Sequence, residues 1–236
     1  MLVLGFDTAT AAVSVALRDG DRVAGQACAV DARRHAELLM PMIAKVMADA
    51  GVARGDLDAI AVGVGPGPYT GLRVGVVTAR VLGSVLGVPV HGVCSLDAIA
   101  ACTEAEREFL VATDARRREV YWARYEAAGR RLAGPLVGRA SSIPGAAELP
   151  VAGAGGQLYP ESFGQVIGPV YPDARTLCRI VADCIAAGSA VAQGIAAGSP
   201  GRFSLLAPEP LYLRRPDARE PGPPKRVTPP NPPAGP

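Results

Sequence analysis

The sequence is poor in the groups from which most active sites are built. It has two histidines, His35 and His91, and five cysteines with no CxxC spacing among them. A metal centre or a nucleophile–base pair needs convergent ligands. One helical turn after His35, where a second ligand would share its face, stands Leu39, so a two-histidine helical metal site lacks its second member. His91 lies in an apolar run and reads as a core or strand-end residue. Five is an odd number of cysteines, and reduced thiols are expected rather than disulfides or zinc ligands. No catalytic residue, metal ligand or cofactor is therefore assigned.

Other absences narrow the class further. No run reaches the roughly 18 uncharged apolar residues of a membrane helix. Asp7 interrupts the first apolar run, and no basic segment precedes it as in an export signal. A cytoplasmic protein without a membrane partner is expected. The formal net charge is +2, from 24 basic and 22 acidic residues, which gives no reason to expect nucleic-acid binding by charge alone. Lysine is also missing where it would matter most. Residues 65–73 read GPGPYTGLR, a glycine-rich turn after the apolar run at 57–64. A P-loop requires a lysine in GxxxxGK[ST], and GxGxxG would require glycine where Thr70 stands. The turn does not read as a phosphate loop.

What is present is a repeated plan. The opening LVLGFDTATAAVSVALRDGDRV reads as strand, turn, strand, turn, strand, and FLVATDARRREVYWARYEAAGRRL repeats it. An ungapped shift of 107 residues sets Asp114 on Asp7 and Val120 on Val13, which suggests two related halves. After the first hairpin, a strand at 23–30, a helix at 36–50, a strand at 57–64, a helix at 70–86 and a strand at 88–93 are expected. Ser95 looks like a helix cap. Strands alternating with helices after a meander indicate an α/β layered domain. Residues 1–104 form the expected first lobe and 105–215 a reduced second lobe, with a helix at 174–187 and a last strand at 209–214. Residues 216–236 contain nine prolines in 21 positions and are expected to be a disordered, solvated tail.

Two features suggest sites. Gly71, Gly75, Ala79 and Gly83 recur every four residues, so they share one stripe of the second helix. Each interior glycine costs roughly 1 kcal/mol relative to alanine, which calls for a backbone packed unusually close. The first helix carries Met40, Met42 and Met47, and flexible thioethers suit adaptable surfaces. A partner interface of Met40, Met42, Met47, Gly71, Leu72, Arg73, Gly75, Val76, Ala79 and Gly83 is expected. Packing within the chain is the alternative use of the same glycines. Pro41 implies a kink or a later helix start. The second feature is Asp7 with Thr8, Thr10 and Asp114, which reads as the remains of a nucleotide cleft. Ala9 stands where such a turn needs glycine. Gly153-Ala154-Gly155-Gly156 is a candidate second phosphate turn.

The segments FDTAT, RRHAELLMPMI, LDAIAVGVGPGPYTGLRVG, GVCSLDAIA, VATDARRREVYWARY and EPLYLRRPDA resemble, in order, those of the bacterial TsaB (YeaZ) family of tRNA threonylcarbamoyladenosine biosynthesis proteins. The likeness covers residues 1–218. It implies an α/β fold of the actin/hexokinase/Hsp70 (ASKHA) type with two related lobes. It also implies a pseudoenzyme: a non-catalytic relative of the enzyme subunit TsaD, which it binds through helices of the first lobe. The ATPase TsaE joins, tRNA is met through the assembly, and ATP and metal reside on the partners. A homodimer is the alternative partner state. The product implied is N6-threonylcarbamoyladenosine at position 37 of tRNAs reading codons that begin with A. The competing readings are a metal-dependent (glyco)peptidase and a small-molecule kinase of the same superfamily.

Overall fold

The structure, a computed structural model, describes residues 1–188 and 203–214. The tail expected at 216–236 lies outside the described residues. Two five-stranded sheets carry the fold. The first has the order β3-β2-β1-β4-β5, with β1 Leu2–Asp7, β2 Ala12–Asp19, β3 Arg22–Val30, β4 Ala59–Gly63 and β5 Val90–Val93. The second has the order β10-β9-β6-β7-β8, with β6 Phe109–Asp114, β7 Val120–Tyr125, β8 Arg131–Gly138, β9 Pro150–Ala152 and β10 Gln165–Val166. Reading outward from β1 or β6 gives the same plan: an antiparallel meander on one side and two parallel strands on the other.

The repeat is present, but its register is not ungapped. Asp7 faces Ser14, while Asp114 faces Val120, so the second hairpin turn is one residue shorter. Val120 is therefore the counterpart of Ser14, and the alignment with Val13 is corrected. A one-residue slip moves side chains to the opposite face of a strand.

β1 and β4 are buried on both faces, as central strands must be, and their two faces differ in size. Leu4, Phe6, Ile60 and Val62 meet α1 (His35–Asp49) and α2 (Tyr69–Leu86). The other face offers Val3, Ala59 and Ala61, with Ala16 of β2, to α5 (Ala174–Ala186), which follows the short α4 (Ala154–Leu158). Small residues let α5 sit close: a Cβ at Gly5 would lie 2.5 Å from Cys178 Sγ. The α5 N-terminus is fixed to this sheet, with Ala174 N–H donating to Ser14 Oγ at 2.9 Å. The expected second lobe of 105–215 is thus corrected, because its helix covers the first sheet. The strand expected at 209–214 is also not formed. In its place Leu206 makes an isolated bridge to Gly92, and Leu211 N–H reaches Val64 O at 2.8 Å.

α1 runs unbroken through Pro41, so the helix does not start late. Pro41 and Glu37, one turn before it, are both exposed, so the helical bond that proline cannot make falls on the solvent side. His35, Leu39, Ile43, Val46 and Met47 form the buried stripe. The short α3 (Ser95–Ala100) joins the sheets. Its buried Asp97 accepts from Tyr125 Oη at 2.7 Å and from Arg131 Nη1 at 3.1 Å. Burial raises the Asp97 carboxyl above the ordinary carboxylate range, against the pull of Arg131 and Tyr125.

Candidate functional site

A cleft of about 480 Å³ separates the two sheets, walled by Thr8, Thr10, His35, Tyr69, Thr113 and Asp114 among others. Three of the four residues expected in a nucleotide cleft line it; Asp7 does not. Asp7 is buried beneath it, accepting from Ser95 Oγ at 2.6 Å and from Ala9 N–H at 2.7 Å. Burial raises its carboxyl above the ordinary value, opposed by those two hydrogen bonds and by His35. Ser95 also accepts Gly65 N–H at 3.1 Å. Its hydroxyl therefore ties the strand end to the glycine turn and does not cap α3, correcting the expected cap. Gly63 leaves room for this knot, since a Cβ there would stand 1.7 Å from Asp7 Oδ2.

Thr8 explains the glycine turn. Its hydroxyl donates to Gly71 O at 2.7 Å and accepts Gly75 N–H at 3.0 Å. Those two groups are the partners of one helical i→i−4 bond, so Thr8 stands inside the α2 ladder, a known way for a side chain to perturb a helix. Side chains at either position would leave no space. A Cβ on Gly71 would meet Thr8 O at 2.7 Å, and one on Gly75 would meet Thr8 Oγ1 at 2.5 Å. Gly83 does the same at the other end, where a Cβ would lie 2.2 Å from Val90 Cγ2. Before the helix, a Cβ on Gly67 would lie 2.2 Å from Ala9 O. The turn closes on the β1–β2 turn, and Gly65 pairs with Ser95, donating its N–H to Ser95 Oγ and accepting Ser95 N–H at its carbonyl.

The expected partner interface is corrected accordingly. Gly71, Leu72, Gly75, Val76, Ala79 and Gly83 are buried within the chain, because the glycine stripe faces β1, β4 and β5. Met47 is 7% exposed and belongs to the core. Of the expected set, Met40 and Arg73 are exposed and Met42 is half-buried. The face of α2 that meets solvent carries Val77, Val81 and Val85, exposed by 51%, 55% and 76%. Their own four-residue spacing, offset from the glycines, was the signal for them.

The remaining candidates are engaged too. Thr10 O accepts from or faces His35 Nε2 at 2.7 Å, and Thr10 Oγ1 accepts Ala12 N–H at 3.2 Å. Asp114 accepts Arg116 N–H at 2.7 Å and pairs with its guanidinium at 3.4 Å. The glycines of the second turn pack on β6: a Cβ on Gly153 would lie 2.2 Å from Ala112 O. Among the described residues no three of His, Cys, Asp or Glu gather at one point, and no helix is long and apolar enough to cross a membrane. All five cysteines are free thiols, with burial pushing those of Cys94 and Cys178 up to about 12.

The doubled sheet with its inter-sheet cleft is an α/β fold of the actin/hexokinase/Hsp70 type. The sequence model of the family TsaD, tRNA N6-adenosine threonylcarbamoyltransferase, matches residues 23–155. The chain belongs to this family, on its TsaB/YeaZ side. The solved YeaZ from Pseudomonas aeruginosa superposes with a TM-score of 0.72 at 31% identity, covering 90% of this chain and 99% of that one. The tRNA threonylcarbamoyladenosine biosynthesis protein TsaB of Escherichia coli K12 is 36% identical over 129 residues, 53% of this chain and 55% of TsaB. A Mycobacterium leprae protein is 44% identical over 226 residues, 92% of this chain and 56% of its own length. The matched region thus spans about half the length of these two relatives.

Proposed function

We propose that this chain is a non-catalytic TsaB-type subunit in the formation of N6-threonylcarbamoyladenosine at position 37 of tRNAs reading codons that begin with A. It binds and supports a TsaD-like catalytic subunit, and a TsaE-like ATPase joins the assembly. The observation that carries this reading is the solvent face of α2. Val77, Val81 and Val85 form an exposed apolar row, and α1, which packs beside α2, adds Met40 at 46% exposure. A contiguous apolar surface of that kind marks an association site. The cleft supports the non-catalytic part of the reading. The groups that a nucleotide cleft would use, Asp7 and Thr8, hold the protein's own backbone and Ser95. ATP and metal are accordingly assigned to the partners.

The test is mass spectrometry of tRNA nucleosides after depletion of this chain in its host, with complementation by wild type or Val81→Glu. The expected result is loss of threonylcarbamoyladenosine, restored by wild type and not by the variant. Normal levels after depletion would overturn the role. The kinase alternative draws on the cleft volume, and calorimetric titration with Mg-ATP decides it. Heat of binding at micromolar to millimolar concentration would favour that reading. A second copy of the chain could occupy the same valine face, which light scattering of the purified protein reports.

A further inference from the structure

Tyr69 and Tyr212 are the only aromatic residues among the described ones that are more than about a third exposed, at 45% and 43%. They stack on each other with centroids 5.2 Å apart and planes 24° apart. The Arg73 guanidinium lies 5.1 Å from the centre of the Tyr69 ring and donates to its hydroxyl at 2.5 Å. A shallow hollow of about 170 Å³ joins this stack to the β6–β7 turn.

That turn is unusual. Arg116, Arg117 and Arg118 all have left-handed backbones, with φ of 62°, 56° and 62°. Each non-glycine residue in that region costs of order 1–2 kcal/mol. The turn is held by Ala115 N–H to Glu119 O and Glu119 N–H to Arg116 O, both at 3.0 Å. Arg214 clamps it from outside, donating to Ala115 O at 3.0 Å and pairing with Glu119. Glycine would meet the backbone demand without cost, yet three arginines stand there, all exposed. Of the two nearby carboxylates, Glu119 is taken by Arg214, and Asp114 pairs with Arg116 at 3.4 Å, an exposed contact that a phosphate can replace. Strain kept by a firmly held loop is a mark of function.

We propose that this corner binds unpaired RNA directly, one base stacking on the Tyr69–Tyr212 pair and the flanking phosphates resting on Arg73, Arg116 and Arg118. Planar rings accept any base face, and guanidinium groups match phosphate geometry. The hollow is too shallow to enclose a nucleotide, which suits a strand lying across it. Duplex RNA hides its base faces within the stack and would leave the tyrosines unused. This goes beyond the proposed assembly, in which RNA is met through partners, and does not depend on it.

The test is fluorescence anisotropy of the full chain with a labelled single-stranded RNA of about 12 nucleotides, titrated with salt. Wild type should bind with affinity falling as salt rises. Arg116→Gly with Arg118→Gly relieves the backbone and removes two cations. It should melt at the same or a higher temperature, bind roughly tenfold more weakly, and lower the salt slope by about 1.4. Tyr212→Ala should weaken binding about tenfold and Tyr212→Phe should restore it. The proposal is overturned if wild type does not bind at low salt, or if the double glycine variant binds normally. It is equally overturned if Tyr212→Ala has no effect while polyphosphate competes, or if duplex RNA binds as tightly. Val81→Glu should bind RNA normally while losing its partner, which separates failure of this inference from failure of the assembly.

Discussion

The two sides of α2 are built on the same four-residue spacing and do opposite things. The inner side, Gly71, Gly75 and Gly83, removes side chains so that backbone and a threonine hydroxyl can enter. The outer side, Val77, Val81 and Val85, keeps apolar side chains that nothing among the described residues covers. Both look like association motifs in the sequence. Only the inner side has its close neighbours supplied by the fold, Thr8 after β1 for Gly71 and Gly75 and Val90 of β5 for Gly83. Small-residue stripes therefore report close approach, whereas the identity of what approaches is set by the tertiary structure.

Filling the inner side should have the largest effect. On helix propensity alone, Gly75→Ala would stabilise by roughly 1 kcal/mol. The contact reverses the sign, because the new Cβ would meet a hydroxyl fixed by two hydrogen bonds. Gly75→Leu adds overpacking and expels Thr8, so about 4 kcal/mol or more is expected. Urea denaturation checks both variants. A Gly75→Leu protein as stable as wild type would return the glycines to the outer surface. Thr8→Val keeps the shape of the inserted side chain and removes its hydrogen bonding. It should cost about 1–3 kcal/mol, less than the leucine, because the Gly71 carbonyl and Gly75 N–H can partly pair with each other.

Much of the layered fold was legible in the sequence. The meander–helix–strand alternation located α1, α2, β4 and the second hairpin, because apolar periodicity is a local property. What failed was long-range. No local signal says that α5 leaves the second sheet for the alanine-lined face of the first, since that depends on which sheet offers small residues at 5, 16, 59 and 61. Ser95 departs from its expected capping role for the same reason. Serine before a helix is the usual cap, and here a carboxylate 88 residues away claims its proton. Asp7, Thr8, Thr10 and Asp114 were recognised as a cluster from their types, but their types could not show that each already had a partner. The arginine turn was visible only as composition, because a left-handed backbone leaves no trace in three arginines.

The outer side yields an effect on association rather than on folding. Val81→Glu replaces an exposed side chain, so its stability should stay within about 0.5 kcal/mol of wild type. Association with a TsaD-like partner, or self-association, should weaken at least about tenfold, equivalent to roughly 1.4 kcal/mol. Co-elution and sedimentation read this out. Unchanged association with unchanged stability would leave the valine row without a role and make both faces of α2 structural.

The smallest effect tests the knot under the inner side. Asp7 is raised above its ordinary value of 3.8 by burial, so the folded protein holds its proton more tightly than the unfolded chain. Between those two pKa values the native state binds more protons, and stability falls as pH rises. The contribution is complete below 3.8 and is lost as pH climbs through the folded pKa. Asp7→Asn resembles the protonated acid: its carbonyl can accept Ala9 N–H and its amide can donate to Ser95 Oγ. Near about pH 4 the variant should match wild type, and it should gain relative stability toward neutral pH because it cannot ionise. Urea midpoints at several pH values measure this difference and cancel the other carboxylates, which both proteins share. A variant that instead loses ground as pH rises would mean that the Ser95 and Ala9 hydrogen bonds outweigh burial. The carboxylate would then be a stabilising anchor for the turn and not a cost carried by it.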